Sequence, residues 1–143
     1  MQEHALTDTQ APVLHISAMN KKNILILGDV VTLACLTVIG FATHGETGTS
    51  FLPRMAAAFF PMAFGWFVLA PWFGLFDASI IQLPRTLLRI PLVFLFSAPL
   101  AVILRAAILN TAGIPVFVLA LGTTNAIGMM VWRVIYMKFL NKA

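Results

Sequence analysis

The chain has 143 residues, of which 60% are hydrophobic and only 10% charged, and its mean hydropathy is +0.95. A water-facing domain carries about 25% charged residues, so this composition excludes an ordinary soluble fold and points to lipid as the surrounding solvent. The formal charge of +4 is too small to be read as a nucleic-acid footprint, and the one cysteine, Cys35, excludes an intrachain disulfide and a thiolate metal site.

Residues 1–23 are polar and mixed in charge. This stretch is too long and too acidic for the n-region of a secretory signal, and no small-residue cleavage site closes the apolar run behind it. With little apolar surface to bury, it is expected to be a mobile cytoplasmic tail. Four apolar runs follow, at about 24–43, 53–76, 87–109 and 115–137, and residues 138–143 form a short basic tail. A hydrocarbon core of ~30 Å is crossed by about 20 helical residues, so each run is long enough to span it. An isolated strand would leave backbone groups unpaired in lipid, which makes helix the expected state. The breaks between runs carry turn chemistry: His44 to Ser50 is polar and glycine-rich, Asp77 to Arg85 holds an acid, a serine and a proline, and Asn110 to Ile114 is a short reversal before Pro115. Pro61, Pro71 and Pro99 are expected to bend their helices. The fold class that follows is all-α: a polytopic integral membrane protein, a bundle of four transmembrane helices with consecutive helices antiparallel.

Basic residues orient the bundle. With the N-terminus inside, Lys21, Lys22, Arg85, Arg89, Arg133, Lys138 and Lys142 lie on the cytoplasmic side and only Arg54 and Arg105 on the outer side. The excess of cytoplasmic Lys and Arg places both termini inside the cell membrane. The basic balance is then a topology signal and needs no nucleic-acid partner.

Charged residues within spans are the informative ones, because each is costly in lipid. Asp29 sits about one and a half turns into the first span and Arg133 about one turn from the cytoplasmic end of the last. Antiparallel packing brings them to similar depth, where they can form an intramembrane pair. Near the outer face, His44 and Glu46 follow the first span, Arg54 opens the second and Arg105 lies one turn inside the end of the third. His44, Glu46 and Arg105 form a candidate site for an anionic headgroup or small acid; the same residues could equally be a solvated rim. Helical spacing puts Gly122, Asn125, Ala126, Met129 and Arg133 on one face of the fourth span, and Ser97, Ala101 and Arg105 on one face of the third. The second span is aromatic, with Phe59, Phe60, Phe64, Trp66, Phe67, Trp72, Phe73 and Phe76. This surface either faces lipid or receives a planar ligand. Trp66 lies too near mid-span for an interfacial belt. No catalytic signature is present, and His44 alone gives too few ligands for a histidine-bound metal enzyme.

The order of these residues resembles the bacterial and archaeal membrane family catalogued as domain of unknown function 3054. The resemblance rests on Gly28-Asp29, His44-Gly45, Pro61, Gly65-Trp66, Ala98-Pro99-Leu100, Leu104-Arg105, Phe117-Val118-Leu119 and Trp132-Arg133, and runs from about Gly28 to Tyr136. It implies a four-helix membrane domain and no particular activity or cofactor. The expected function is a non-catalytic binding or accessory subunit, holding a lipid, quinone or pigment or docking on a larger membrane complex. The alternative is a small-solute or proton-coupled transporter acting as a homodimer.

Overall fold

The computed structural model describes residues 11–77, 81 and 83–140, with backbone alone for 11–20 and 140. Helix α1 runs Ala11–Thr43, α2 Leu52–Leu69, α3 Arg89–Leu109 and α4 Pro115–Ile135. Short 3₁₀ turns, Thr49–Phe51 and Pro84–Leu88, lead into α2 and α3, and a π turn, Tyr136–Leu140, follows α4. All four helices are long and apolar enough to cross a bilayer: Lys21–Thr43, Thr49–Leu69, Pro84–Leu109 and Pro115–Phe139. Tyr136 donates its hydroxyl to the Lys21 carbonyl at 3.0 Å, so the start of the first span and the end of the last meet at one end of the bundle. That end is here the terminal end; the opposite one, with loops 44–48 and 110–114, is the hairpin end.

Two boundaries differ from the sequence expectation. Helix α1 begins at Ala11 rather than at Ile24, so much of the segment expected to be a mobile tail is helical. Pro12 suits a first helical turn, where its missing N–H has no partner to lose, and the apolar span behind it offers a formed helix to extend. Residues 1–10 and 141–143, which make up the rest of the two expected tails, lie outside the described residues. The second span is also shorter than 53–76: α2 stops at Leu69, and Pro71 ends it instead of bending it. Proline there has no N–H to give and crowds the carbonyl four residues back. The chain then winds through tight turns, with Trp72 N–H on Leu69, Gly74 N–H on Pro71 and Leu75 N–H on Ala70. Gly74, at φ 69°, supplies the left-handed residue. Pro61 and Pro99 do lie inside helices.

Small residues let the helices approach. A Cβ on Gly65 of α2 would lie 2.9 Å from the Ser97 Cβ of α3, and one on Gly122 of α4 would lie 3.1 Å from the Ala98 Cβ. On α1, Leu36 fills the space over Gly128 of α4. Such close approach replaces the hydrophobic drive that lipid cannot supply between helices. Around these contacts Leu33, Met62, Trp66, Ile90, Val93, Phe94, Ala98, Ala126 and Met129 form the core. Trp66 stacks on Phe94 with ring centroids 5.0 Å apart. The aromatic α2 therefore divides its rings: Trp66 is buried, while Phe60 and Phe64 face outward.

The Gly65–Ser97 contact leaves no room for a larger group. Gly65→Leu should force α2 from α3 and cost about 1–3 kcal/mol or more by overpacking, read as a lowered melting temperature in detergent. Gly40→Ala is the matched control, since a Cβ there meets nothing within 4 Å, and it should leave the melting temperature unchanged or slightly higher.

Candidate functional site

The polar groups gather in two places. The first is at the terminal end, around Asp29. This carboxylate is completely buried, on the inner face of α1. Arg133 of α4 donates from Nη2 to Asp29 Oδ2 at 2.6 Å, forming a salt bridge between nearly fully buried side chains. Two indoles complete the carboxylate's shell: Trp66 Nε1–H donates to Oδ2 at 3.0 Å and Trp132 Nε1–H to Oδ1 at 2.9 Å. The structure thus joins Asp29 and Arg133 and adds Trp66 and Trp132, which sequence reasoning did not connect to them. A signal was available: a carboxylate in lipid needs several donors, and Trp66 lies too deep for a headgroup belt. Gly28 explains how Trp132 reaches Asp29, because a side chain at that position would fall inside the indole ring.

Arg133 does more than neutralise Asp29. Its Nη1 donates to the Leu75 carbonyl at 2.7 Å. Leu75 belongs to the non-helical segment that follows α2, and Arg89 donates to the Phe73 carbonyl of that same segment at 2.9 Å. The guanidinium carbon lies 5.8 Å from the Trp66 ring centroid and 5.4 Å from that of Phe76, within cation–π range of both. One arginine therefore ties α1, α4 and the turn after α2 into a closed polar plug. All three donors to the carboxylate come from the protein itself, which fits a packing role.

The second gathering is a cavity of about 320 Å³ at the hairpin end, between α1 and α4. His44, Glu46 and Arg105 all line it, so the structure brings together the three residues of the outer-face candidate site. Arg54 does not line it; its Nη1 is 3.7 Å from Glu46 Oε1 in a loose, largely exposed ion pair. Apolar walls come from Leu36, Phe41, Ala120 and Leu121, and Thr124 and Asn125 lie deepest along α4. Asn125 spends one amide hydrogen on the Leu121 carbonyl at 2.8 Å. Apart from Ala58, α2 contributes nothing to the lining, so its aromatic rings do not face this cavity.

Arg105 is the unusual member. Its guanidinium carbon sits 4.9 Å from the Phe117 ring centroid, and its buried Nε has no hydrogen-bond partner. Unlike Arg133, it has no carboxylate at salt-bridge distance. A charged donor left without an acceptor in a half-apolar setting is costly. In sequence, Phe117 enters only the family resemblance and is not connected to Arg105.

The Asp29–Arg133 pair makes a quantitative prediction. Breaking a buried pair costs about 3–5 kcal/mol because it strands the other charge. Asp29→Leu should therefore destabilise strongly, and Asp29→Asn less, since an amide oxygen in the Oδ2 position still accepts from Trp66 and Arg133. The double variant Asp29→Leu/Arg133→Leu should be less destabilised than the sum of the single variants. Unfolding of all four proteins in mild detergent checks this; strict additivity would mean that the pair is not coupled.

No curated protein and no solved structure matches the chain. A family model described as "Protein of unknown function (DUF3054)" matches residues 26–136. That match takes in most of the chain, including Asp29, the hairpin-end cavity and Arg133, and the chain belongs to this family of membrane-helix proteins, DUF3054.

Proposed function

We propose that this protein is a non-catalytic binding or accessory subunit of the cell membrane that holds a small amphiphilic molecule in the hairpin-end cavity, with that end facing outward and both termini in the cytoplasm. The observation that carries the reading is a guanidinium without a protein acceptor on the wall of a cavity of about 320 Å³. Small-molecule sites have this character: mostly apolar walls, a few polar groups that fix orientation, and a volume of roughly 300 Å³ or more. The orientation is supported by the basic residues, with Lys21, Lys22, Arg85, Arg89, Arg133 and Lys138 towards the terminal end and Arg54 and Arg105 towards the other.

A homodimeric transporter, the other reading of the sequence, needs a route between the two faces. Below the cavity lie buried Leu33, Ala126 and Met129, and below them the Asp29–Arg133 plug. This closed half favours a site entered from one end over a path. The lipid, quinone or pigment class and any larger complex follow from what the site retains.

Gentle purification followed by native mass spectrometry tests the reading. The wild-type protein should carry a small molecule through purification. Arg105→Lys keeps a charge that can insert and snorkel, but it loses the planar fork. It should keep the wild-type melting temperature and retain about tenfold less of that molecule. A lysine variant with wild-type occupancy would make Arg105 a structural anchor and overturn the proposal. Solute uptake by reconstituted vesicles would favour the transporter.

A further inference from the structure

The charges around the cavity specify more than that something binds. Among the lining residues Arg105 and Glu46 carry opposite formal charges. Glu46 already faces Arg54 at 3.7 Å, however, and both of those side chains reach solvent. That pair balances itself. What remains is one guanidinium, half-buried over Phe117, with no carboxylate at salt-bridge distance among the described residues. A neutral occupant would leave it uncompensated. A dianion would overcompensate it and leave a net negative charge, which is costly where water is scarce. A single negative charge is the count that closes.

Geometry adds the shape. Phe117 lies 4.9 Å from the guanidinium carbon and Nε is buried, which leaves the two Nη groups as the donors that two oxygens side by side would meet. From Phe117 to Thr124 the cavity follows two turns of α4, about 10 Å. The side chains along that depth are Leu36, Ala120 and Leu121, and polar groups return at Thr124 and Asn125 on α4 and at Thr37 on α1, whose hydroxyl donates to the Leu33 carbonyl. Resting on the binding reading above, we infer that the cavity is a site for a singly charged anion, a carboxylate or phosphodiester head on an apolar body about 10 Å long, with Arg105 holding the head.

The test uses the full chain in nanodiscs of phosphatidylcholine at pH 8, with protein-free discs as the partition control and octyl compounds as probes of matched length. Equilibrium dialysis compares octanoate, the neutral octanamide and octyl phosphate, which is a dianion at that pH. Wild-type protein should prefer octanoate to each of the others by about tenfold or more. Arg105→Gln should lose the preference over octanamide. The wild-type comparison stands even where that variant does not fold. Phosphatidylglycerol in the disc then separates the sources: displacement of octanoate assigns the anion to a lipid, and undiminished octanoate binding assigns it to a soluble acid, both in support. Equal binding of octanamide and octanoate overturns the anion inference while leaving the binding site standing. If no probe binds above the protein-free discs, the binding reading itself fails and the inference with it.

Discussion

The buried contact between Asp29 and Arg133 is the constraint on which the rest of the structure depends. A charge inside a bilayer has no water to hold it and must find its partners in protein. Here the carboxylate accepts from three donors, Trp66, Trp132 and Arg133, and these come from α2 and α4. Asp29 itself stands on α1. Three helices are thus locked in register by one carboxylate. Arg133 extends the lock to Leu75, and Arg89 caps Phe73, so the non-helical segment after α2 has donors for carbonyls that lipid would leave bare. Backbone of that kind is tolerated at membrane depth only where protein covers it.

This lock makes the bundle asymmetric. At the terminal end α1 is held to α4 by ionic and indole hydrogen bonds, and again by Tyr136 on the Lys21 carbonyl. At the hairpin end nothing comparable draws α1 inward. A Cβ on Gly40 would meet no atom within 4 Å, and the cavity lies between this stretch of α1 and the opening turns of α4. Meanwhile α2, α3 and α4 stay close through Gly65 on Ser97 and Gly122 on Ala98. A bundle that is tight at one end and parted at the other leaves a cavity at the parted end, with His44 and Glu46 of loop 44–48 in its lining. Arg105 sits where the parting begins. The two intramembrane arginines therefore differ in their surroundings: Arg133 donates from both Nη groups to protein oxygens, whereas Arg105 has no carboxylate at salt-bridge distance among the described residues, and the Nε of each is buried without a partner.

Much of the fold could be read from the sequence because lipid imposes so few solutions. Run length gave four spans, and the loops 44–48 and 110–114 carried their own turn residues. The depth of Asp29 and Arg133 placed them opposite each other, since antiparallel helices convert sequence position directly into height. What was not legible depended on rotation and on breaks. Hydropathy cannot tell helix from apolar turn, so residues 70–76 read as a continuation of α2 although Pro71 ends the helix. The polar look of the first residues hid the helix that starts at Ala11. Trp66 read as part of an aromatic surface and Trp132 only as part of the family resemblance, because an indole's one donor declares itself only when an acceptor faces it. Arg105, His44 and Glu46 were picked from cost and position, but the cavity that joins them arises from the spacing of α1 and α4, which no residue pattern encodes.

The central claim is that one end of this bundle is open to a ligand and the other is sealed by an ion pair. The most direct measurement is a cysteine scan down α4 in a Cys35→Ala background, with a membrane-impermeant thiol reagent added outside intact cells. The account predicts reaction at Ala120, Leu121 and Thr124, which line the cavity, and none at Ala126 or Met129, which are buried beneath it. Reaction at Met129, or no reaction at Ala120, Leu121 and Thr124, would contradict it.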